Sequence, residues 1–185
     1  QGRPVTLEVV RVVRAAGLLL GLAALSGCAT RPAADAAMPW TSGRLSVRVE
    51  ATVDRSASNV SADFDLRGDS SRGELRLSSP LGAVMAATRW SATEVVLDTG
   101  QGPTRYADLE SMSRDALGEA LPLRAFPDWL AGRPWPGAPS AAQADGFEQL
   151  GWNVSLAAYG SGRLEAVRAA PPKVTVRVRL EKAAS

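Results

Sequence analysis

The chain is predicted to be mainly β with α, a set of antiparallel strands curving around two central helical pieces. Three observations carry that prediction. Apolar residues alternate with period two on both sides of the centre, as Leu45, Val47 and Val49 on one side and Val174, Val176, Val178 and Leu180 on the other. Between them, from Leu109 to Leu130, the spacing becomes that of an apolar helix face. Successive strands are joined by short turns, which favour antiparallel neighbours.

Taken in order, period two begins at Trp40. Leu45, Val47 and Val49 alternate with Ser46, Arg48 and Glu50, and after a polar turn Val60, Ala62, Phe64 and Leu66 alternate with Ser61, Asp63, Asp65 and Arg67. Each reads as a half-buried strand with one wet face. A polar break from Gly68 to Gly73 leads to Leu75 and Leu77, then to the turn Pro80-Leu81-Gly82. Ala83 to Trp90 reads as a strand apolar on both faces, and Val95 and Leu97 begin another that ends at Gly100-Gln101-Gly102-Pro103. Asp108 is placed to cap a helix in which Leu109, Met112, Ala116 and Leu117 share a face. Pro122 separates it from a second piece carrying Leu123, Phe126 and Leu130, which Pro127 is expected to bend. Gly132 to Pro139 is a Gly/Pro loop. Strands return with Trp152, Val154, Leu156 and Ala158, turn at Gly160-Ser161-Gly162, run through Arg163–Arg168 and end with Val174–Leu180. Arg177 and Arg179 on that last strand read as the solvated side of an edge strand. Trp90, Trp129 and Trp152 are assigned to the interior.

Composition narrows the chemistry. The 185 residues suit one domain, and 45% hydrophobic with 22% charged residues is ordinary globular usage. The absence of His removes imidazole ligands and a histidine base, and a single Cys removes an intrachain disulfide and a Cys-rich zinc site. The net charge of +2 belongs to the N-terminal segment, where Arg3, Arg11 and Arg14 face only Glu8. Residues 28–185 hold 18 basic and 18 acidic groups, so no concentrated positive charge points to nucleic acid. Asp63-x-Asp65-x-Arg67-Gly68 with Glu74 imitates a calcium loop, but an arginine occupies a ligand position and the flanks alternate as strands, so no metal is expected. Phosphate-loop and dinucleotide motifs are missing, and Lys173 and Lys182 are the only lysines. Neither catalytic residues nor a cofactor is expected; the chain does not read as an enzyme.

The N-terminus is more specific. Ala15–Leu25 is an uncharged run behind Arg11 and Arg14; as a helix it would rise roughly 16 Å, about half a hydrocarbon core. Residues 1–27 therefore read as a secretory signal peptide. Leu25-Ser26-Gly27-Cys28 resembles the bacterial lipobox, which implies cleavage before Cys28 and its modification by a diacylglyceryl thioether and an amide-linked acyl chain. Ala29, where an inner-membrane lipoprotein usually carries Asp, implies the outer membrane. Residues 28–39 are then a lipidated N-terminus and tether, and residues 40–185 one domain.

Further motifs extend this resemblance. Leu75-Arg76-Leu77-Ser78-Ser79-Pro80-Leu81-Gly82 is similar to a strand and turn ending in Asn-Pro-Leu-Gly. Arg105-Tyr106, Leu121-Pro122-Leu123 and Trp129-Leu130-Ala131-Gly132-Arg133-Pro134 follow at matching spacing. With the lipobox, these resemble the LolB family, outer-membrane lipoprotein receptors of the bacterial lipoprotein localization pathway. The resemblance implies a strongly curved antiparallel sheet, an open, incomplete β-barrel, enclosing two or three helical pieces over an apolar cavity. It implies a monomer anchored in the outer membrane and facing the periplasm, which accepts lipoproteins from a LolA-like periplasmic carrier and inserts them into outer-membrane lipid without an energy source. Leu81, flanked by Pro80 and Gly82, becomes the membrane-insertion loop. The inward-pointing residues Leu45, Val47, Phe64, Leu75, Leu77, Met85, Met112, Leu117, Phe126, Leu130, Trp152, Val176 and Val178 become candidates for contact with cargo acyl chains. The alternative is a structural outer-membrane lipoprotein whose same residues form a filled core and bind no ligand.

Overall fold

The computed structural model describes residues 38–181. In chain order these are β1 (Thr41–Val49), β2 (Ser58–Gly68), β3 (Gly73–Ser78), β4 (Val84–Trp90), β5 (Val95–Asp98), β6 (Pro103–Tyr106), α1 (Leu109–Leu117), α2 (Phe126–Leu130), β7 (Ser140–Gln143), β8 (Gly146–Gln149), β9 (Trp152–Ser155), β10 (Arg163–Arg168) and β11 (Val174–Leu180). All the strands belong to one sheet, in the order β6-β5-β4-β3-β2-β1-β11-β10-β9-β8-β7. Every neighbouring pair is antiparallel, and β6 and β7 are free edges, so the sheet is open.

The first and last strands meet at its centre, with Leu45 opposite Val178 and Val47 opposite Val176. Antiparallel order sends the loops to two ends. The β1–β2, β3–β4, β5–β6, β8–β9 and β10–β11 loops share one end, called here the Leu81 end. The chain enters β1 at the opposite, Trp40 end.

Both helices pack on one face of the sheet. Asp108 caps α1 by accepting from Ser111 N at 2.6 Å, and the Ser111 hydroxyl accepts from Asp108 N at 3.3 Å, completing a capping box. Trp129 of α2 joins the two flanks: its ring lies 6.2 Å from Phe147 of β8 and 6.3 Å from Trp152 of β9, while α2 also packs on β2. A sheet whose two flanks meet one helix must curl around it.

Several expectations require correction. β6, β7 and β8 are additions to the strands expected from the sequence: Pro103–Tyr106 and Ser140–Gln143 lack apolar alternation and serve as exposed edges, and Gly146–Gln149 buries a polar Gln149 beside Phe147. The strand containing Trp152 ends at Ser155, leaving Leu156 and Ala158 in the connection to β10. β11 is central rather than an edge; Arg177 and Arg179 are exposed because they lie on the face away from the helices. Pro127 does not bend a helix but lies in the first turn of α2, where a missing N–H breaks no helical bond. β4 is two-sided: Thr88 and Trp90 are buried, whereas Arg89 is exposed. Two α-helices and a single 3-10 turn at Tyr159–Ser161 are present among the described residues, within the two or three helical pieces expected.

Candidate functional site

A pocket of about 280 Å³ lies between the helices and strands β1–β5. Leu45 and Val47 of β1, Phe64 of β2, Leu75 and Leu77 of β3, Met85 of β4, Met112 and Leu117 of α1, Phe126 and Leu130 of α2, and Val178 of β11 all line it. Trp152 and Val176 do not. Trp152 meets Trp129 with its ring tilted by 58°, and Val176 adjoins a void of only about 10 Å³ beside Trp129 and Leu164. Strand alternation identifies the inward face but not the position along the sheet, and both residues lie on the inward face next to Trp129, which itself does not line the pocket. Leu97, Leu109 and Leu121 also line it. Leu121 had no periodic signal, since it sits in the connection between the helices.

The pocket wall carries no charged side chain, and the two buried hydroxyls among its residues, those of Thr88 and Ser113, are satisfied internally. The Thr88 hydroxyl donates to Met112 Sδ at 3.4 Å. The Ser113 hydroxyl donates to the Glu110 carbonyl at 3.0 Å and accepts from Leu121 N at 2.9 Å. The lining therefore presents hydrocarbon inward. Its exposed members, Val60, Met85, Thr99 and Ala116, all lie toward the Leu81 end.

Leu81 occupies the tip of the β3–β4 hairpin and is 97% exposed. Pro80 and Leu81 form the centre of a turn closed by Gly82 N donating to the Ser79 carbonyl at 2.8 Å, and Ser79 N donating to the Ala83 carbonyl at 2.8 Å. Gly82 has φ 81°, a left-handed conformation that glycine adopts without steric cost. Below the turn the register shifts: Leu77 faces Ala86 but Ser78 faces Val84, leaving Met85 as the extra residue of a bulge. The bulge turns Met85, which strict alternation would place beside the outward Ala87 and Arg89, toward the pocket.

The opposite face of the sheet is ionic. Glu74 is buried beneath Arg67 and Arg76, which approach to 2.7 and 2.8 Å, and Trp40 lies against both guanidinium groups at 4.6 and 4.7 Å. Burial alone would raise the Glu74 carboxyl, but hydrogen bonds from Arg67 and Arg76 outweigh it and hold the group below its ordinary range. Asp63 pairs with Arg44 at 2.7 Å, and Asp65 accepts from the Ser42 hydroxyl at 2.5 Å. The acidic pattern that imitates a calcium loop is thus occupied by side-chain partners. Arg177 pairs with Glu165 at 2.6 Å. Among the described residues no group of three or more Asp, Glu, Cys or His side chains is arranged to hold a metal. Cys28, the signal segment and most of the tether lie outside the described residues.

An open antiparallel sheet curled around two helices, with a hydrocarbon-lined pocket beside a protruding apolar loop, has the form of a binding protein. Residues 40–182 match the family described as Outer membrane lipoprotein LolB, and the chain belongs to that family. Its relatives bear this out along most of its length. Outer-membrane lipoprotein LolB of Ralstonia nicotianae is 34% identical over 161 residues, covering 77% of this chain and 76% of its own. The protein of that name from Chromobacterium violaceum is 35% identical over 148 residues, covering 74% of this chain and 79% of its own. That from Bordetella petrii is 31% identical over 188 residues, covering 94% and 93%. The chain is accordingly an outer-membrane lipoprotein of the lipoprotein localization pathway.

Proposed function

We propose that this protein accepts lipoproteins from a soluble LolA-like carrier in the periplasm, holds their acyl chains in the pocket beneath α1 and α2, and inserts them into the outer membrane. The observation that carries this reading is that the exposed part of the apolar pocket lies at the same end of the sheet as Leu81. Cargo leaving the pocket then emerges where a side chain is available to enter lipid. No nucleotide or other energy source is involved, so transfer runs down a gradient of affinity from carrier to receptor to bilayer. Only differences in apolar burial between these sites drive the cargo forward.

At about 280 Å³ the pocket is just under the ~300–1,000 Å³ typical of sites for drug-sized ligands. Seating more than one acyl chain therefore requires the pocket to widen. The anchor in this reading is Cys28, acylated after removal of residues 1–27, with residues 28–39 as tether. Labelled palmitate should enter the wild type and not Cys28→Ser.

The test of pocket binding is mass spectrometry of purified protein for co-purifying lipid, combined with displacement of a fluorescent fatty acid. Bound lipid, lost when Leu75 and Leu77 are both replaced by Asp in a protein that remains folded, supports the reading. A folded wild type that binds no lipid and no fatty acid is instead a scaffold with a filled core.

A further inference from the structure

We propose that the bilayer is met not by Leu81 alone but by three loop tips, Val53, Leu81 and Leu150, which together form a docking face. This rests on the reading above that Leu81 enters lipid. Seven large apolar residues are exposed among the described residues, and six of them (Val53, Val60, Leu81, Val84, Met85 and Leu150) lie toward the Leu81 end. The seventh, Trp40, is at the opposite end, covered by the guanidinium groups of Arg67 and Arg76. Scattered single apolar residues are normal on a surface, but segregation to one end of a sheet is not.

Each tip is built to project. Val53 is fully exposed in the two-residue turn closed by Thr52 N donating to the Arg55 carbonyl at 2.8 Å. Leu150 is 47% exposed in the β8–β9 turn and has φ 54°, followed by Gly151 at φ 75°. Such a turn favours Asn-Gly, because Asn tolerates the left-handed region and leucine does so only under strain. A strained, exposed leucine contributes nothing evident to folding, which points to use at a surface.

Part of the charge at this end is neutralised. Glu50 faces Lys173 at 3.4 Å, and Arg55 is engaged by Glu119 at 3.1 Å and by the carbonyls that end α1. Asp54, Asp98 and Glu148 remain exposed carboxylates at this end, and Arg48 an exposed guanidinium, all set on strands or turns beside the apolar tips. The loops of the other end carry Asp69, Arg72, Glu94 and Asp145, and the one exposed large apolar side chain there among the described residues is Trp40. The partner this face fits is therefore the hydrocarbon boundary of a lipid bilayer. Val60 and Met85 extend the apolar surface from the tips to the pocket, so a chain leaving the pocket need not cross a charged strip.

The experiment attaches an environment-sensitive fluorophore to a single introduced cysteine at position 53, 81, 150 or, as control, Ala92 in the β4–β5 loop. Full-length acylated protein is placed in phospholipid vesicles containing a lipid-borne quencher. Blue-shifted emission and quenching at 53, 81 and 150 but not at 92 are expected. Quenching at 81 alone would overturn the three-point face while leaving the Leu81 reading intact. Quenching at none of the three would remove both, and equal quenching at 92 would show non-specific adsorption and also overturn the proposal. Leu150→Asn provides a second readout, because it relieves backbone strain. Thermal stability should not fall, while delivery of a labelled lipoprotein to vesicles should slow, on the order of ten-fold when combined with Val53→Asp. Unchanged delivery by that folded double variant would contradict the proposal.

Discussion

Arg55 donates from Nη1 to the Gly118 carbonyl at 2.8 Å and from Nη2 to the Leu117 carbonyl at 3.1 Å, so the β1–β2 loop closes the C-terminal end of α1. These carbonyls have no partner within the helix, and a cation there also meets the negative end of the helix dipole. Glu119 extends the tie, accepting from Arg55 at 3.1 Å and from Arg168 at 2.7 Å. One side chain thus fastens a pocket wall to the sheet.

Arg55→Ala should therefore loosen α1 more than the rest of the molecule. The loss is expected to be about 1–3 kcal/mol, the scale of hydrogen bonds to a charged group. Hydrogen exchange should accelerate over Leu109–Leu117 well beyond any change in β1 and β11. Uniform acceleration across helix and sheet would contradict a local fastening.

Glu74 makes stability depend on pH in a known direction. Its carboxyl titrates lower in the folded protein than in the unfolded chain, so on acidification the unfolded state takes up the proton first. The stabilisation is complete above the unfolded value of about 4.3 and is lost as pH falls through the folded value. Glu74→Gln should melt at a lower temperature than wild type at pH 7 and show a shallower decline between about pH 5 and pH 3. Parallel melting curves for the two proteins would contradict this.

Gln149 is 2% exposed and makes four hydrogen bonds. Its Oε1 accepts from Trp129 Nε1 at 2.8 Å and Trp135 N at 2.9 Å, and its Nε2 donates to the Trp135 and Ala138 carbonyls at 2.7 and 2.8 Å. Replacement by Leu keeps the volume but orphans all four partners. The expected cost is about 3 kcal/mol or more, read from the urea midpoint. A change under about 1 kcal/mol would mean that water replaces the amide.

These residues mark where the sequence was legible and where it was not. β1, β2 and β11 follow from alternation because each buries one face, and the cap at Asp108 follows from side-chain chemistry. β7 is Ser-Ala-Ala-Gln and fully exposed; only the backbone ladder to β8 makes it a strand, and backbone pairing leaves no residue signature. Gln149 lies on the buried face of a strand as a polar residue, which hides its period. Eleven inward candidates line the pocket because alternation reports facing, whereas Trp152 and Val176 face the same way but sit farther along the sheet, beside Trp129. Met85 is apolar in a strand that reads as apolar on both faces, but it reaches the pocket through a bulge, which no period-two pattern encodes.

Leu81→Glu should leave folding and acceptance of cargo from the carrier close to wild type, since the side chain is 97% exposed and makes no pocket contact. Release into vesicles should be impaired, because a carboxylate is costly to bring into hydrocarbon. The two steps are measured separately with a labelled lipoprotein, first from carrier to receptor and then from receptor to vesicles. Equal insertion by wild type and variant would reduce the loop to a turn.

The most direct test of pocket-based transfer is photo-crosslinking during transfer. A photoreactive amino acid replaces Leu75 on the pocket wall or, as control, Arg89 on the exposed outer face, in full-length protein receiving a lipoprotein with radiolabelled acyl chains from its carrier. Labelled adducts from position 75, absent at 89 and lost once the cargo has entered vesicles, are expected. Transfer that proceeds at the normal rate with no adduct from position 75 would contradict passage of the acyl chains through the pocket.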